Sequence, residues 1–293
     1  MAEITAALVK ELRERTGSGM MECKRALQET GGDIEAAVEL MRKAGQAKAD
    51  KKASRVAAEG LIVIRQATGA AAMVEINCET DFVTKNDDFR AFADAVAETV
   101  LSSEPADLDA LLTSRMANGQ SVEQNRRDCI ARIGENINVR RFARLASARG
   151  VLGCYLHGAR IGVLVELEGG DADLAKDIAM HVAASRPLCV SADQVPADLV
   201  AKEREIYAAQ AAASGKPAHI VEKIVEGKLR DYYEAVTLLG QPFIKAEDKQ
   251  SVENLLKARK AQVIRFERFE LGEGIEKKAD NFAADVMAQV RGD

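Results

Sequence analysis

Apolar residues along this chain repeat with two different periods, and the switches between them mark out its elements. Over the first 45 residues the spacing is helical. Ile4, Leu8 and Leu12 recur every four residues, "TGSG" (Thr16 to Gly19) ends that helix, and Cys23, Ala26 and Leu27 line a second. "TGGD" is a break, and Asp33 is a suitable N-cap for a third helix with Ile34, Val38 and Met41 inward. Residues 46–59, rich in Ala and Lys, read as a helical linker. From Gly60 the pattern becomes that of strands: "GLIVIRQATGAAAMVEINC" places two apolar runs about a turn at Thr68-Gly69, which predicts an antiparallel hairpin. Asn86 then caps a helix carrying Phe89, Phe92, Ala93, Val96 and Val100 on one face. Pro105 marks a loop, a helix with Val122, Cys129, Ile130 and Ile133 stops at Gly134, and "NINVRRFARL" alternates like a strand.

The same order of elements then returns. "GVLGCYLHGARIGVLVELEGGDADLAKDIAMHVA" is again an apolar run, a Gly turn, a second run and a helix with Leu174, Ile178 and Val182. Aligning "VEI" (Val74–Ile76) with "VEL" (Val165–Leu167) suggests two related strand-plus-helix subdomains. From Val74 to the first helix anchor, Phe89, is 15 residues; from Val165 to Leu174 is 9, so the first copy carries the longer loop. Leu199, Ile206 and Ala213, the breaker "SGKP", and then Ile220, Ile224, Leu229, Tyr232 and Val236 predict a projecting antiparallel helical hairpin. "KQSVENLLKARKA" reads as a helix, "VIRFERFEL" as a strand, and "DNFAADVMAQV" as a short amphipathic helix with Phe282, Val286 and Val290 on one side.

The expectation is therefore an α+β chain with a small N-terminal helical module, a two-subdomain core of antiparallel strands packed with helices, an inserted helical hairpin and a C-terminal helix. The boundaries read as 1–55 for the module and linker, 56–146 for the first core subdomain, and 147–192 with 237–275 for the second. The hairpin occupies 193–236 and the C-terminal module 276–293.

Composition narrows the function. The formal net charge is −5, with 41 Lys+Arg against 46 Asp+Glu, which argues against direct nucleic-acid binding. The densest basic run, "KADKKASR" with Lys48, Lys51, Lys52 and Arg55, is interrupted by Asp50 and reads as a solvated helix face or linker. No apolar run approaches the ~18–20 residues of a membrane span, and the N-terminus, amphipathic but acidic, reads as a helix rather than a signal or transit peptide. Five widely spaced cysteines without a CxxC pair read as reduced core-filling residues of a cytoplasmic protein. There is no GxSxG or HExxH, and "SGKP" lacks the upstream Gly of a phosphate loop. His157, His181 and His219 lie on separate elements, and Cys154 with His157 is a weak metal signal. No catalytic residue, metal site or cofactor is expected.

The longer loop, "INCETDFVTKND", carries one bulky aromatic, Phe82, among polar residues. Either Phe82 tucks into its own core or it points outward toward a pocket on another molecule. A loop longer than its twin with an apolar tip points to binding.

"LVKELRERTGSGMMECKRAL" and "EINCETDFVTK", together with "RIGENINVRR", "HGARIGVLV" and "FELGEGIEK", resemble the signature stretches of the bacterial elongation factor Ts family, in the right order over essentially the whole chain. Thr84 departs by one methyl from the smaller residue expected there. The resemblance implies a ubiquitin-associated-like N-terminal module and a guanine-nucleotide exchange factor without catalytic chemistry of its own. Its implied partner is elongation factor Tu, GDP-bound or nucleotide-free. It also implies that Thr80, Asp81, Phe82 and Val83 form the stretch linked to Mg²⁺ displacement in that partner. Asp81 would anchor the loop or pair with a partner residue. Further implied contacts are Arg13, Met20, Met21, Ile133 and Gly134, with His157 on the second hairpin turn near the partner's phosphate loop. At least one of Met20 and Met21 is expected in the module's own core, and the C-terminal helix would add a contact. Whether the complex is one-to-one or a dimer of heterodimers stays open. The competing readings are an RNA- or ribosome-associated assembly factor using "KADKKASR" and the hairpin, and an enzyme working in the cleft between subdomains.

Overall fold

The computed structural model of the chain describes residues 4–213 and 217–276. The expected C-terminal helix and Ser214 to Lys216 of "SGKP" lie outside the described residues.

The N-terminal module is α1 (Ala6–Thr16), α2 (Met20–Glu29) and α3 (Ile34–Lys52). Thr5 caps α1 through its hydroxyl, which accepts from Leu8 N at 3.3 Å, and Asp33 caps α3 by accepting from Ala36 N at 3.0 Å. Gly17 ends α1 at φ 66°, where a Cβ would be strained. Leu12, Cys23, Leu27 and Ala37 are fully buried between the three helices, with Ile34, Val38 and Met41 packed against them. The linker expected over 46–59 is helical only to Lys52, and it is not a spacer. α3 runs unbroken to Lys52 and docks its second half on the main body, where Ala49 joins the core.

The first repeat pairs β1 (Glu59–Ala67) with β2 (Ala70–Cys78) about the Thr68-Gly69 turn, followed by α4 (Asp87–Ser103), α5 (Leu108–Thr113), α6 (Val122–Ile133) and β3 (Ile137–Ala146). The second has β4 (Val151–His157), β5 (Ile161–Gly169), α7 (Ala172–Ser185), α8 (Ala197–Ala212), α9 (Ala218–Val236), α10 (Val252–Ala258) and β6 (Ala261–Glu270). Among the described residues the strands form two antiparallel sheets, ordered β1-β2-β3 and β4-β5-β6.

The two copies match in detail. The ladder to the third strand shifts register between Glu75 and Ile76 in one and between Glu166 and Leu167 in the other. Asn86 and Asp171 cap α4 and α7 by accepting from Phe89 N and Leu174 N, and both helices end on a left-handed residue, Glu104 at φ 47° and Arg186 at φ 49°. The repeat alignment therefore stands, and the first copy has 15 − 9 = 6 extra residues between strand and helix.

These elements stack as helix, sheet, sheet, helix. Val74, Ile76, Phe89, Val96 and Ile130 form the core under α4 and α6; Val163, Val165, Leu174 and Ile178 form its counterpart under α7. Between the sheets lie Ile62, Met73, Leu145, Leu164 and Phe269. α8 and α9 form a helical pair with a small core of their own around Ala211, Val225 and Leu229.

One buried ion cluster clamps the repeats together. Glu75, fully buried on β2, accepts from Arg140 Nη1 at 2.8 Å, Arg141 Nε at 2.6 Å and Gly272 N at 2.9 Å. Arg141 also reaches Glu270 O at 3.0 Å and lies 4.3 Å over the Phe269 ring.

Candidate functional site

The longer connection of the first repeat contains a five-residue 3-10 turn, Asp81–Lys85, between β2 and α4. The turn sends two neighbouring apolar side chains in opposite directions. Val83 is buried in the core beside Phe89, whereas Phe82 is 76% exposed. Nothing local forces Phe82 out for lack of anchors. Thr84 Oγ1 donates to Asp81 O at 2.6 Å, Arg90 Nε donates to Thr84 O at 2.7 Å, and Asn86 N donates to Val83 O at 3.0 Å. The loop is a pedestal fixed at its base, with a phenyl ring held in water at its tip. An exposed ring of this size is the informative observation, since most Phe side chains are buried.

Of the expected loop residues, Thr80 caps the turn and Phe82 projects. Val83 is the inward anchor, its side chain buried in the first core. Asp81 is exposed and enters the loop's bonding through its carbonyl; the anchoring carboxylate is that of Glu135, which no local sequence pattern marks.

The loop forms one wall of a groove of ≈ 550 Å³ whose floor is the outer strand β1 from Glu59 to Arg65. Asp81, Thr84 and Lys85 stand on one side, and Leu156, Gly158, Ala159 and Arg160 on the other. The β4–β5 turn is held there by Ile62 N donating to Ala159 O at 2.9 Å and Leu271 N donating to Arg160 O at 2.8 Å. His157 is the last residue of β4, one step before that turn, and is exposed with Nδ1 3.0 Å from the Tyr155 hydroxyl. Phe82 and His157 thus stand on elements flanking one groove. The charged rim is largely satisfied internally, with Arg65 2.7 Å from Asp94 and Arg160 3.3 Å from Glu59.

The remaining candidates gather on the N-terminal module and its seat. Met20 and Met21 are 48% and 75% exposed in the first turn of α2. The expectation that one of them belongs to the module's core is corrected, since Cys23, Ala26 and Leu27 fill that face. Arg13 is exposed on α1. Ile133 is half-buried against the first core, and Gly134 ends α6 at φ 88°, with its carbonyl accepting from Lys52 Nζ of α3.

Burial raises the Cys78 and Cys129 thiols to about 12 and the Cys154 thiol to about 11, which keeps them protonated at neutral pH. Cys154 packs on the inter-sheet core while His157 faces water. Among the described residues, no group of three or more His, Cys, Asp or Glu is arranged to hold a metal ion, and no helix is long and apolar enough to cross a membrane.

These features define a class: a two-repeat α+β platform that bears an aromatic-tipped loop beside a groove, with a small helical module seated against it. The family model described as elongation factor TS matches residues 79–273. The elongation factor Ts of Thioalkalivibrio sulfidiphilus is 63% identical over 292 residues, covering 99% of both chains. That of Methylococcus capsulatus is 63% identical over 290 residues, covering 98% of this chain and 99% of the relative. That of Legionella pneumophila (strain Paris) is 55% identical over 293 residues, covering 99% and 100%. The chain belongs to the elongation factor Ts family.

Proposed function

We propose that this chain acts in translation by binding elongation factor Tu·GDP and promoting GDP release, with Phe82 as the wedge that disturbs the partner's Mg²⁺ and phosphate site. Family membership supports the exchange role. The single observation that supports the wedge is the exposed Phe82 ring on an otherwise anchored loop.

The physics of exchange asks for no reacting group. A GTPase holds GDP through phosphate-loop amides and Mg²⁺. A factor that binds the nucleotide-free conformation better than the GDP-bound one weakens GDP, and GDP weakens the factor by the same ratio. Equal affinity for both states would shift nothing. Burying the Phe82 ring in a pocket that opens only when the metal site is distorted supplies that difference. A buried aromatic is worth roughly 1.5–3 kcal/mol, or on the order of 10- to 100-fold in the equilibrium. A rigid pedestal matters because ordering a mobile loop on binding would use up part of that gain. Arg13, Met20, Met21, Ile133, Gly134 and His157 serve in this reading as secondary contacts. The Met pair offers an adaptable apolar surface.

The RNA-binding alternative loses support from the fate of the basic run. Lys52 is engaged with the Gly134 carbonyl, and Arg55 lies 3.5 Å from Glu79. Working in the cytoplasm without a membrane or a direct nucleic-acid contact fits the acidic balance.

The test is rapid mixing of elongation factor Tu carrying fluorescent GDP and Mg²⁺ with this chain in excess unlabelled GDP. Release that accelerates and then saturates with chain concentration is expected. Release at the spontaneous rate at every concentration would overturn the proposal.

A further inference from the structure

The corner between α6 and β3, Gly134–Glu135–Asn136, bonds to the start of the Phe82 loop, to the end of α3 and to the segment joining α3 to β1. Glu135 Oε2 accepts from Glu79 N at 3.1 Å and from Thr80 N at 2.9 Å, and its Oε1 accepts from Thr80 Oγ1 at 2.6 Å. One carboxylate thus takes three hydrogen bonds from the residues where the Phe82 loop leaves β2. Next to it, Asn136 N donates to Glu79 Oε1 at 2.6 Å, while the buried Asn136 side chain donates to Arg55 O at 2.7 Å, on the segment joining α3 to β1. On the other side the Gly134 carbonyl accepts from Lys52 Nζ at the end of α3. Three consecutive residues therefore fasten the base of the Phe82 loop, the seat of the N-terminal module and the connection between them.

Resting on the exchange reading above, we propose that Glu135 is a positioning residue: it never needs to touch the partner, and it acts by holding Thr80 so that Phe82 is presented at a fixed height and angle. Its bonds are to the first residues of the loop, upstream of the ring, and they are charge-assisted, which makes them stronger than neutral ones. Release of this end leaves the start of the loop to weaker holds, the Cys78 thiol donating to Thr80 O at 3.1 Å and the Asn136 amide on the Glu79 side chain, with Arg90 and Val83 fastening only the part beyond the ring. The ring then samples many orientations, and the cost of ordering it falls on the step in which it enters the partner. The first encounter, made through other contacts, is unaffected. Glu135 thus contributes to how far release is driven and little to how tightly the first complex forms.

The experiment compares the full chain with Glu135→Ala, Glu135→Gln, Phe82→Ala and the Glu135→Ala/Phe82→Ala pair. Each is measured for GDP release from elongation factor Tu over a range of chain concentrations, after circular dichroism has established folding. For Glu135→Ala the limiting release rate is expected to fall about tenfold with the half-saturating concentration changed by less than about twofold. Glu135→Gln, which keeps one accepting oxygen, is expected to fall between the two. In the Phe82→Ala background, Glu135→Ala should add less than about twofold, since the two residues act through one element. Full multiplication of the two losses would overturn the proposal, as would a limiting rate for Glu135→Ala equal to that of the parent.

Amide hydrogen exchange on the free proteins tests the same residue without the partner. The Glu79 and Thr80 amides are expected to exchange at least about tenfold faster in Glu135→Ala, and unchanged protection would overturn the proposal. If the parent itself fails to accelerate release while these amides lose protection, the exchange reading fails and the anchoring role of Glu135 stands.

Discussion

Replacing Glu75 by Gln removes the charge at the centre of the inter-repeat clamp while keeping its shape. Burial pushes the Glu75 carboxyl up, but the Gly272 amide and the Arg140 and Arg141 side chains outweigh it, so its pKa lies below the ordinary 4.5. Breaking a buried ion pair from one side costs ~3–5 kcal/mol. The Arg140 and Arg141 side chains remain 27% and 30% exposed, so water recovers part of their solvation in the variant and the lower end applies. At ~3 kcal/mol, with ~2–4 °C of Tm per kcal/mol for a domain of this size, Glu75→Gln should lower Tm by roughly 6–12 °C at pH 7. The sign with pH follows from the depressed pKa. The ionised form is favoured in the folded state, so the contribution is complete above pH 4.5 and is lost as pH falls through the folded value. The gap between parent and variant in thermal melts followed by circular dichroism should therefore close under acid. Equal melting temperatures at pH 7, or a gap that widens below pH 4.5, would refute the clamp.

Three further outcomes are expected. His181 is fully buried, with Nε2 3.0 Å from Gln241 Oε1 and Nδ1 accepting from Ile244 N at 3.3 Å, and burial lowers its pKa despite the opposing Gln241 contact. The unfolded chain therefore takes up a proton before the folded one. Stability present above pH 6.5 is lost as pH falls below it, and thermal melts of His181→Gln should show a flatter slope between about pH 7 and 5. Val83→Ala should cost about 2 kcal/mol in denaturant titrations, from two lost methyl groups and the void they leave, whereas Phe82→Ala should stay within about 0.5 kcal/mol of the parent. Gly162→Ala would bring a Cβ within 2.5 Å of Met73 Sδ and 2.7 Å of Ile62 Cγ2 between the sheets, and should destabilise by about 1–3 kcal/mol in the same assay.

What could be read from the sequence was local. Phe89, Phe92, Ala93, Val96 and Val100 announce the buried face of α4 by spacing alone, and Asn86 announces its start. The paired "VEI" and "VEL" runs locate the repeat, and the loop-length difference isolates the turn that carries Phe82. α5 went unseen because Leu108–Thr113 is too short to show a period, although Asp107 caps it. The docked half of α3 reads as a linker because its buried residues, Gly45 and Ala49, are small and sit among lysines. The long-range polar contacts left no trace. Glu75 alternates along β2 like a solvent-facing acid, and its arginines lie 65 and 66 residues away. Glu135 reads as an ordinary acid after a Gly helix stop, and its partners on the Phe82 loop lie 55 and 56 residues upstream.

The most direct test of the wedge is the limiting rate of fluorescent GDP release from elongation factor Tu at saturating chain, for the parent and Phe82→Ala side by side. Loss of a burial worth roughly 1.5–3 kcal/mol in the exchange-competent complex should slow that rate by on the order of 10- to 100-fold, with the melting temperature unchanged. Equal limiting rates from the parent and a folded Phe82→Ala would contradict it, and the exposed ring would then have to be assigned another purpose.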